Sequence, residues 1–254
     1  MRTIALVILL FLFPVVRADF PLKDGKPTSK GIELYIEQMA DSILMEYMDF
    51  IGDTIYNIYI YAEDLTDYGI YDSLELGRYY AHEIYINTDE LFLAYELDDL
   101  PKWQQNSMNE CNKFVKAALL HELTHEYISQ IGTEMRAVDG IRVDPAYQTD
   151  IWIIMSHETF GSSFIEEGIC EYLIGRMGEI IPPRRPFIPK TIEELTHSDN
   201  RYRVGYKYAA YFLRDFLDSV GLKKGIKVLI HNPPPTYEEI LDPPKFFNRL
   251  KYPF

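Results

Sequence analysis

Residues 30 to 50, from Gly31-Ile32-Glu33-Leu34 through Phe50, set apolar among polar side chains at helical spacing, which predicts an amphipathic helix. Two later stretches, Ile55 to Ala62 and His82 to Asn87, are short and rich in β-branched and aromatic residues, the composition of strands. From about residue 88 the pattern is mostly helical. Asn112 to Leu120 keeps apolar residues at helical spacing without Pro or Gly, and Ser163 to Leu173 reads as a second helix. Pro182-Pro183 and Pro233-Pro234-Pro235 mark loops, and the run from Pro235 to Phe247 reads as a short helix and turn docked on the core. No repeat or low-complexity tract interrupts the chain. A small N-terminal sheet with helices, followed by a mostly helical half, is an α+β arrangement.

The start of the chain changes the picture of its compartment. Met1-Arg2 precedes an apolar stretch from Ile4 to Val16, which ends at Val16-Arg17-Ala18. A short positive start, an apolar core of this length and small or aliphatic residues at the two positions read by signal peptidase describe a signal peptide over residues 1–18. The stretch is short for a membrane span, which needs about 20 apolar residues, although retention as an uncleaved anchor stays open. Export is therefore expected, to a periplasmic or extracellular destination. No other apolar run is long enough to span, so no stable membrane insertion is expected after cleavage. The mature chain, residues 19–254, fits a single domain with an α+β lobe over about 19–105 and a helical lobe over about 106–254.

Charge narrows the partners. The chain has 25 Lys and Arg against 39 Asp and Glu, a net charge of −14, and loss of Arg2 and Arg17 would leave 23 basic residues and −16. So acidic a surface is a poor match for nucleic acid. It also disfavours anionic membranes and slightly favours cationic peptides.

Candidate chemistry centres on His121-Glu122-Leu123-Thr124-His125. Two histidines four apart project from one helix face and can bind a single zinc, while the glutamate beside the first sits at the edge of that face, placed to take a proton from water. A catalytic zinc needs three protein ligands and an open position. The metzincin extension would require Gly at 128 and His at 131, where this chain has Ile128 and Ile131, so that branch is excluded. His82, His157, His197, His231 and many carboxylates remain as sources of the third ligand. In Ser163 to Leu173, Glu167 and Glu171 lie four apart and share a face, and Gly168 permits a close approach by another backbone or a substrate.

His-Glu-Leu-Thr-His followed by Phe164-Ile165-Glu166-Glu167-Gly168-Ile169-Cys170-Glu171-Tyr172-Leu173 resembles the gluzincin metallopeptidases, which include thermolysin and the zinc aminopeptidases. The resemblance implies Glu167 as the third zinc ligand and Glu171 as the acid that orients a ligating histidine. Tyr202-Arg203-Val204-Gly205 is similar to the family's Tyr-x-x-Gly run, which implies Tyr202 as the donor to the oxyanion of the tetrahedral intermediate, with Tyr206 and His197 as rivals. Pro235 to Phe247 looks like a run found in bacterial gluzincin-like proteins. The resemblance covers about residues 106 to 247 and implies a thermolysin-like catalytic domain, in which the sheet's edge strand runs beside the zinc. Tyr85 to Asn87 is the candidate for that strand. Forty-one residues separate His125 from Glu167, more than in thermolysin or the aminopeptidases, and the extra length, with Gly132, Gly140 and Pro145, is expected to form a loop between the two helices.

Two cysteines, Cys111 and Cys170, would permit one disulfide after export. Cys111 lies ten residues before His121, about 15 Å along a straight helix, whereas Cys170 is within a turn of Glu167, so two buried free thiols are expected. No histidine near Cys170 in sequence suggests a catalytic cysteine pair. The expected protein is an exported zinc metallopeptidase with one zinc per chain, acting on a peptide or protein substrate. His121, His125 and Glu167 hold the metal, Glu122 is the general base, Tyr202 is the oxyanion donor and Glu171 is the supporting acid. The alternatives are a catalytically inactive exported zinc-binding protein and an interaction module without metal. Retention of Glu122, which ligates nothing, disfavours the first, and zinc content of the purified protein separates the second from the other readings.

Overall fold

The computed structural model describes residues 28–63, 77–80, 82–88, 108–138, 160–177, 188–196 and 206–252. The proposed signal peptide, His157, His197 and Tyr202 lie outside these residues. The architecture is α+β, a small mixed sheet followed by a mostly helical remainder. Among the described residues no helix is long and apolar enough to cross a membrane.

Helix α1 (Ser29–Ile51) starts where the Thr28 hydroxyl accepts a hydrogen bond from the Gly31 N–H at 3.0 Å. It stops at Gly52, whose φ of 65° is the left-handed conformation that glycine reaches without a Cβ penalty. Its buried face includes Ile32, Tyr35, Ile36, Ile43 and Tyr47. Strands β1 (Tyr59–Glu63), β2 (Gly77–Tyr80) and β3 (Glu83–Asn87) form a sheet in the order β1-β3-β2, with β1 parallel and β2 antiparallel to β3. The two expected strands are present in shortened form. Asn57, at φ 55°, is outside the extended region, and pairing begins only at Tyr59. Strand β2 was not anticipated. The strand expected at the edge, Tyr85 to Asn87, is instead central, and its alternation sends Ile84 and Ile86 fully into the core.

Helix α2 (Met108–Val138) contains both histidines of the motif. It continues well past His125, through Gly132, which therefore belongs to the helix and not to the expected connecting loop. Tyr127, Ile128 and Ile131 prolong the apolar face and are buried, which outweighs the single helical glycine, a cost of about 1 kcal/mol. The remainder of the connection, residues 139–159, lies outside the described residues.

Helix α3 (Phe160–Arg176) packs between α2 and α5 (Tyr206–Val220), the short α4 (Ile192–Thr196) intervening in sequence. A Cβ on Gly168 would sit 2.8 Å from the Ala209 Cβ and 2.9 Å from its backbone carbon, so the close approach that Gly168 permits is made by α5. Phe212 of α5 stacks obliquely or edge-on against Phe164, Phe246 and Phe247. Helices α6 (Leu222–His231), α7 (Tyr237–Leu241) and α8 (Pro243–Arg249) close the chain, with α7 held by a capping box between Thr236 and Glu239. The Tyr208 hydroxyl donates to the Ile240 carbonyl at 2.8 Å, docking this end on α5 as expected.

Candidate metal centre

Helices α2 and α3 bring His121, His125, Glu166, Glu167, Cys170 and Glu171 together. Leu119, Leu120, Leu123 and Ile128 bury one side of α2, and Ile165, Ile169 and Leu173 one side of α3, so their polar residues meet along the seam. Beneath the seam Thr124 is fully buried; it donates to the Leu120 carbonyl at 2.8 Å and accepts from the Tyr47 hydroxyl at 3.0 Å, which locks α1 to the motif helix.

The orientation of the two rings is the informative feature. His121 Nε2 lies 3.0 Å from Glu167 Oε2, and His125 Nε2 lies 3.9 Å from Glu167 Oε1. Each Nδ1 faces a different carboxylate: His125 Nδ1 is 2.7 Å from Glu166 Oε1, and His121 Nδ1 is 3.8 Å from Glu171 Oε1. Glu167 Oε2 is buried yet has no hydrogen-bond partner, despite its short approach to His121. The nitrogen and oxygen are therefore close but not aimed at each other. Two ligands bound at about 2.0–2.1 Å in a tetrahedral site stand roughly 3.4 Å apart. The observed separations fall on either side of that value, and two imidazoles with a carboxylate are a suitable donor set for zinc.

A second donor set shares the histidines. Ligand atoms of His121, His125 and Cys170 all lie within 4.8 Å of one another. Glu167 is the alternative third donor: both Nε2 atoms face it, each towards a different oxygen, whereas among the described residues the set with Cys170 brings one ligand atom of each residue within mutual reach. Cys170 lies one turn from Glu166, the residue that meets Nδ1 of His125, and its side chain is fully buried. Burial pushes the Cys170 thiol up to about 12, although the neighbouring His125 works in the opposite direction. A histidine thus stands beside this cysteine in space, although none lies near it in sequence. Cys170 forms no disulfide, and the Cys111 side chain lies outside the described set.

Electrostatics follow the same arrangement. Burial opposes the charged form of His121, but Glu167 and Glu122 outweigh it and raise the ring above its ordinary range. Burial likewise opposes charge on His125, where Cys170 and Glu166 prevail and raise it well above that range. Burial also opposes ionisation of Glu167, and the two histidines overcome it to hold the carboxyl below its usual range. Protons and a metal would compete for these nitrogens.

Glu122 is only 7 % exposed and packs against the edge strand. A Cβ on Gly77 would come within 2.9 Å of both Glu122 Cγ and Oε1, so β2 fits here because its first residue is glycine. Tyr79, also on β2, stacks nearly parallel on His125 with centroids 6.3 Å apart. The hairpin is pinned by His82, whose Nδ1 lies 2.9 and 3.0 Å from the two oxygens of the fully buried Glu126. His82 itself adopts a left-handed φ of 73°, and it is not part of the group of ligand atoms around His121 and His125. His231 is exposed at the end of α6. Tyr206 begins α5, its side chain outside the described set.

Sequence reasoning missed Glu166, Cys170 and Gly77 as neighbours of the histidines. Glu166 and Cys170 share a face four residues apart, as Glu167 and Glu171 do, and that second spacing was a readable signal. Nothing in the sequence pairs Gly77 with Glu122. Comparison of the chain with protein-family models, curated proteins and solved structures finds no match.

Proposed function

We propose that the protein is an exported zinc-dependent peptidase of gluzincin type, with His121, His125 and Glu167 as the metal ligands. The observation that supports this most is the convergence of both Nε2 atoms on Glu167, whose Oε2 is buried without a hydrogen-bond partner. A zinc ion held there would polarise the scissile carbonyl and lower the pKa of water towards neutrality.

The chain's own residues supply the rest. Glu166 accepts from His125 Nδ1–H and fixes the tautomer that leaves Nε2 free to ligate. Glu171 stands on the corresponding side of His121, and a small shift would close its 3.8 Å gap. Glu122 accepts the proton of the attacking water and returns it to the leaving amine, a transfer worth about 10²- to 10⁴-fold in rate. Its buried position against Gly77 limits access by bulk water. Tyr202, with Tyr206 and His197 as rivals, is the proposed oxyanion donor on the resemblance alone. Export rests on the sequence of residues 1–18.

The test replaces Glu122 with Gln and measures hydrolysis of a broad peptide library alongside zinc content. Gln keeps size and hydrogen bonding but cannot accept the proton, so zinc should remain while cleavage falls by at least about 10²-fold. Wild-type cleavage that persists in the variant would refute Glu122 as the base.

A further inference from the structure

Away from the histidines, α1 and the outer edge of β1 enclose a groove of about 360 Å³, at the small end of clefts that accept ligands. Strand β1 has β3 on one side and, among the described residues, no strand on the other. The Tyr59 N–H donates to the His82 carbonyl at 2.9 Å, and the Glu63 carbonyl accepts from the Thr88 N–H at 2.9 Å. Odd-numbered residues of β1 thus turn their backbone groups towards β3, and Ile60 and Ala62 turn theirs towards the groove. An edge of this kind is a template for one more strand.

Both flanks of that edge are acidic. On the helix side, Glu33, Glu37 and Asp41 follow one another at four-residue intervals along the groove, beside the apolar Ala40 and Leu44. Lys30 pairs with Glu33 at 2.8 Å. Glu37 and Asp41 are exposed and form no ion pair with a described residue. On the opposite face of the sheet the register sets Tyr59 across from Glu83 and Tyr61 across from Tyr85, with Glu63 next along β1. The Tyr61 and Tyr85 rings stack at 5.2 Å, and Tyr59 is 59 % exposed.

We propose that this groove docks an extended cationic segment of a partner protein, which adds to β1 as a further strand. Side chains alternate between faces along such a strand. One set of Lys or Arg side chains meets Glu37 and Asp41, and the other meets Glu63 and the tyrosine rings, which attract cations over their faces. The chain's net charge of −14 steers such a segment towards it. The site is separate from the histidine centre, which adjoins β2 at the other side of the sheet.

The experiment titrates the full chain with a fluorescent alternating Lys-Val peptide and reads anisotropy. Saturable, salt-sensitive binding is expected. Glu37→Gln and Asp41→Asn, both on the exposed helix surface, should each weaken it about two- to five-fold. Methylation of alternate backbone nitrogens on the peptide should abolish it in one of the two registers, and His121→Ala should leave it unchanged. The proposal is overturned if the Lys peptide does not bind, or if an alternating Glu-Val peptide binds equally. Binding indifferent to Glu37→Gln and Asp41→Asn together, or to methylation in both registers, also overturns it.

Discussion

Glu166 Oε1 lies 2.7 Å from His125 Nδ1, one residue before the carboxylate that faces Nε2 of both motif histidines. Adjacent glutamates on one helix thus reach opposite nitrogens of the same ring. Such a contact orients an imidazole and raises its basicity as a ligand. Glu166→Ala is expected to weaken zinc affinity by about 10- to 100-fold, and Glu166→Gln, which still offers an accepting oxygen, should recover most of the loss. Competition with a chromogenic chelator measures both. Unchanged affinity in Glu166→Ala would remove this role.

Gly77 sets the position of the proposed base. An added methyl would lie 2.9 Å from Glu122 Cγ and Oε1, and the end of a flexible side chain gives way more easily than the strand. Gly77→Ala should therefore displace the Glu122 carboxylate while zinc content and thermal midpoint stay close to wild type. A displacement of this kind lowers kcat on the order of 10- to 100-fold. Full activity in the variant would show that the Glu122 position is not limiting.

The C-terminal helices give a pH dependence. Arg249 hydrogen-bonds Glu239 and, against the opposing effect of burial, holds its carboxyl below the usual range. A depressed folded-state pKa contributes stability that is present above the unfolded-state value and is lost as pH falls through the folded one. Glu239→Gln should cost about 1 kcal/mol at pH 7, and the difference from wild type should fade as pH drops below the carboxylate range. Urea unfolding across pH measures it, and a difference independent of pH would contradict the assignment.

Much of this arrangement was legible because it is periodic. The α1 pattern and the spacings of His121 with His125 and of Glu167 with Glu171 each define a helix face. The α+β arrangement followed from the order of the elements. What stayed hidden depends on tertiary contact. Gly77 to Tyr80 is four residues long and begins with glycine, too short to show alternation, and it is a strand because β3 pairs with it. The central place of β3 follows from that same pairing. Continuation of α2 past His125 rests on burial of Ile128 and Ile131, which local propensity at Gly132 does not reveal. Cys170 meets His125 only because α2 and α3 cross at this turn.

The central claim is a metal held by both motif histidines and Glu167, and the most direct measurement is zinc per chain in purified protein. About one equivalent is expected in wild type. Little should remain in His121→Ala, His125→Ala and Glu167→Ala, with near-wild-type content in Cys170→Ala. Wild-type zinc content in Glu167→Ala, with loss in Cys170→Ala, would contradict the account and make the buried thiol the third ligand. Absence of zinc from wild type after growth and purification with added zinc would contradict the metal centre altogether.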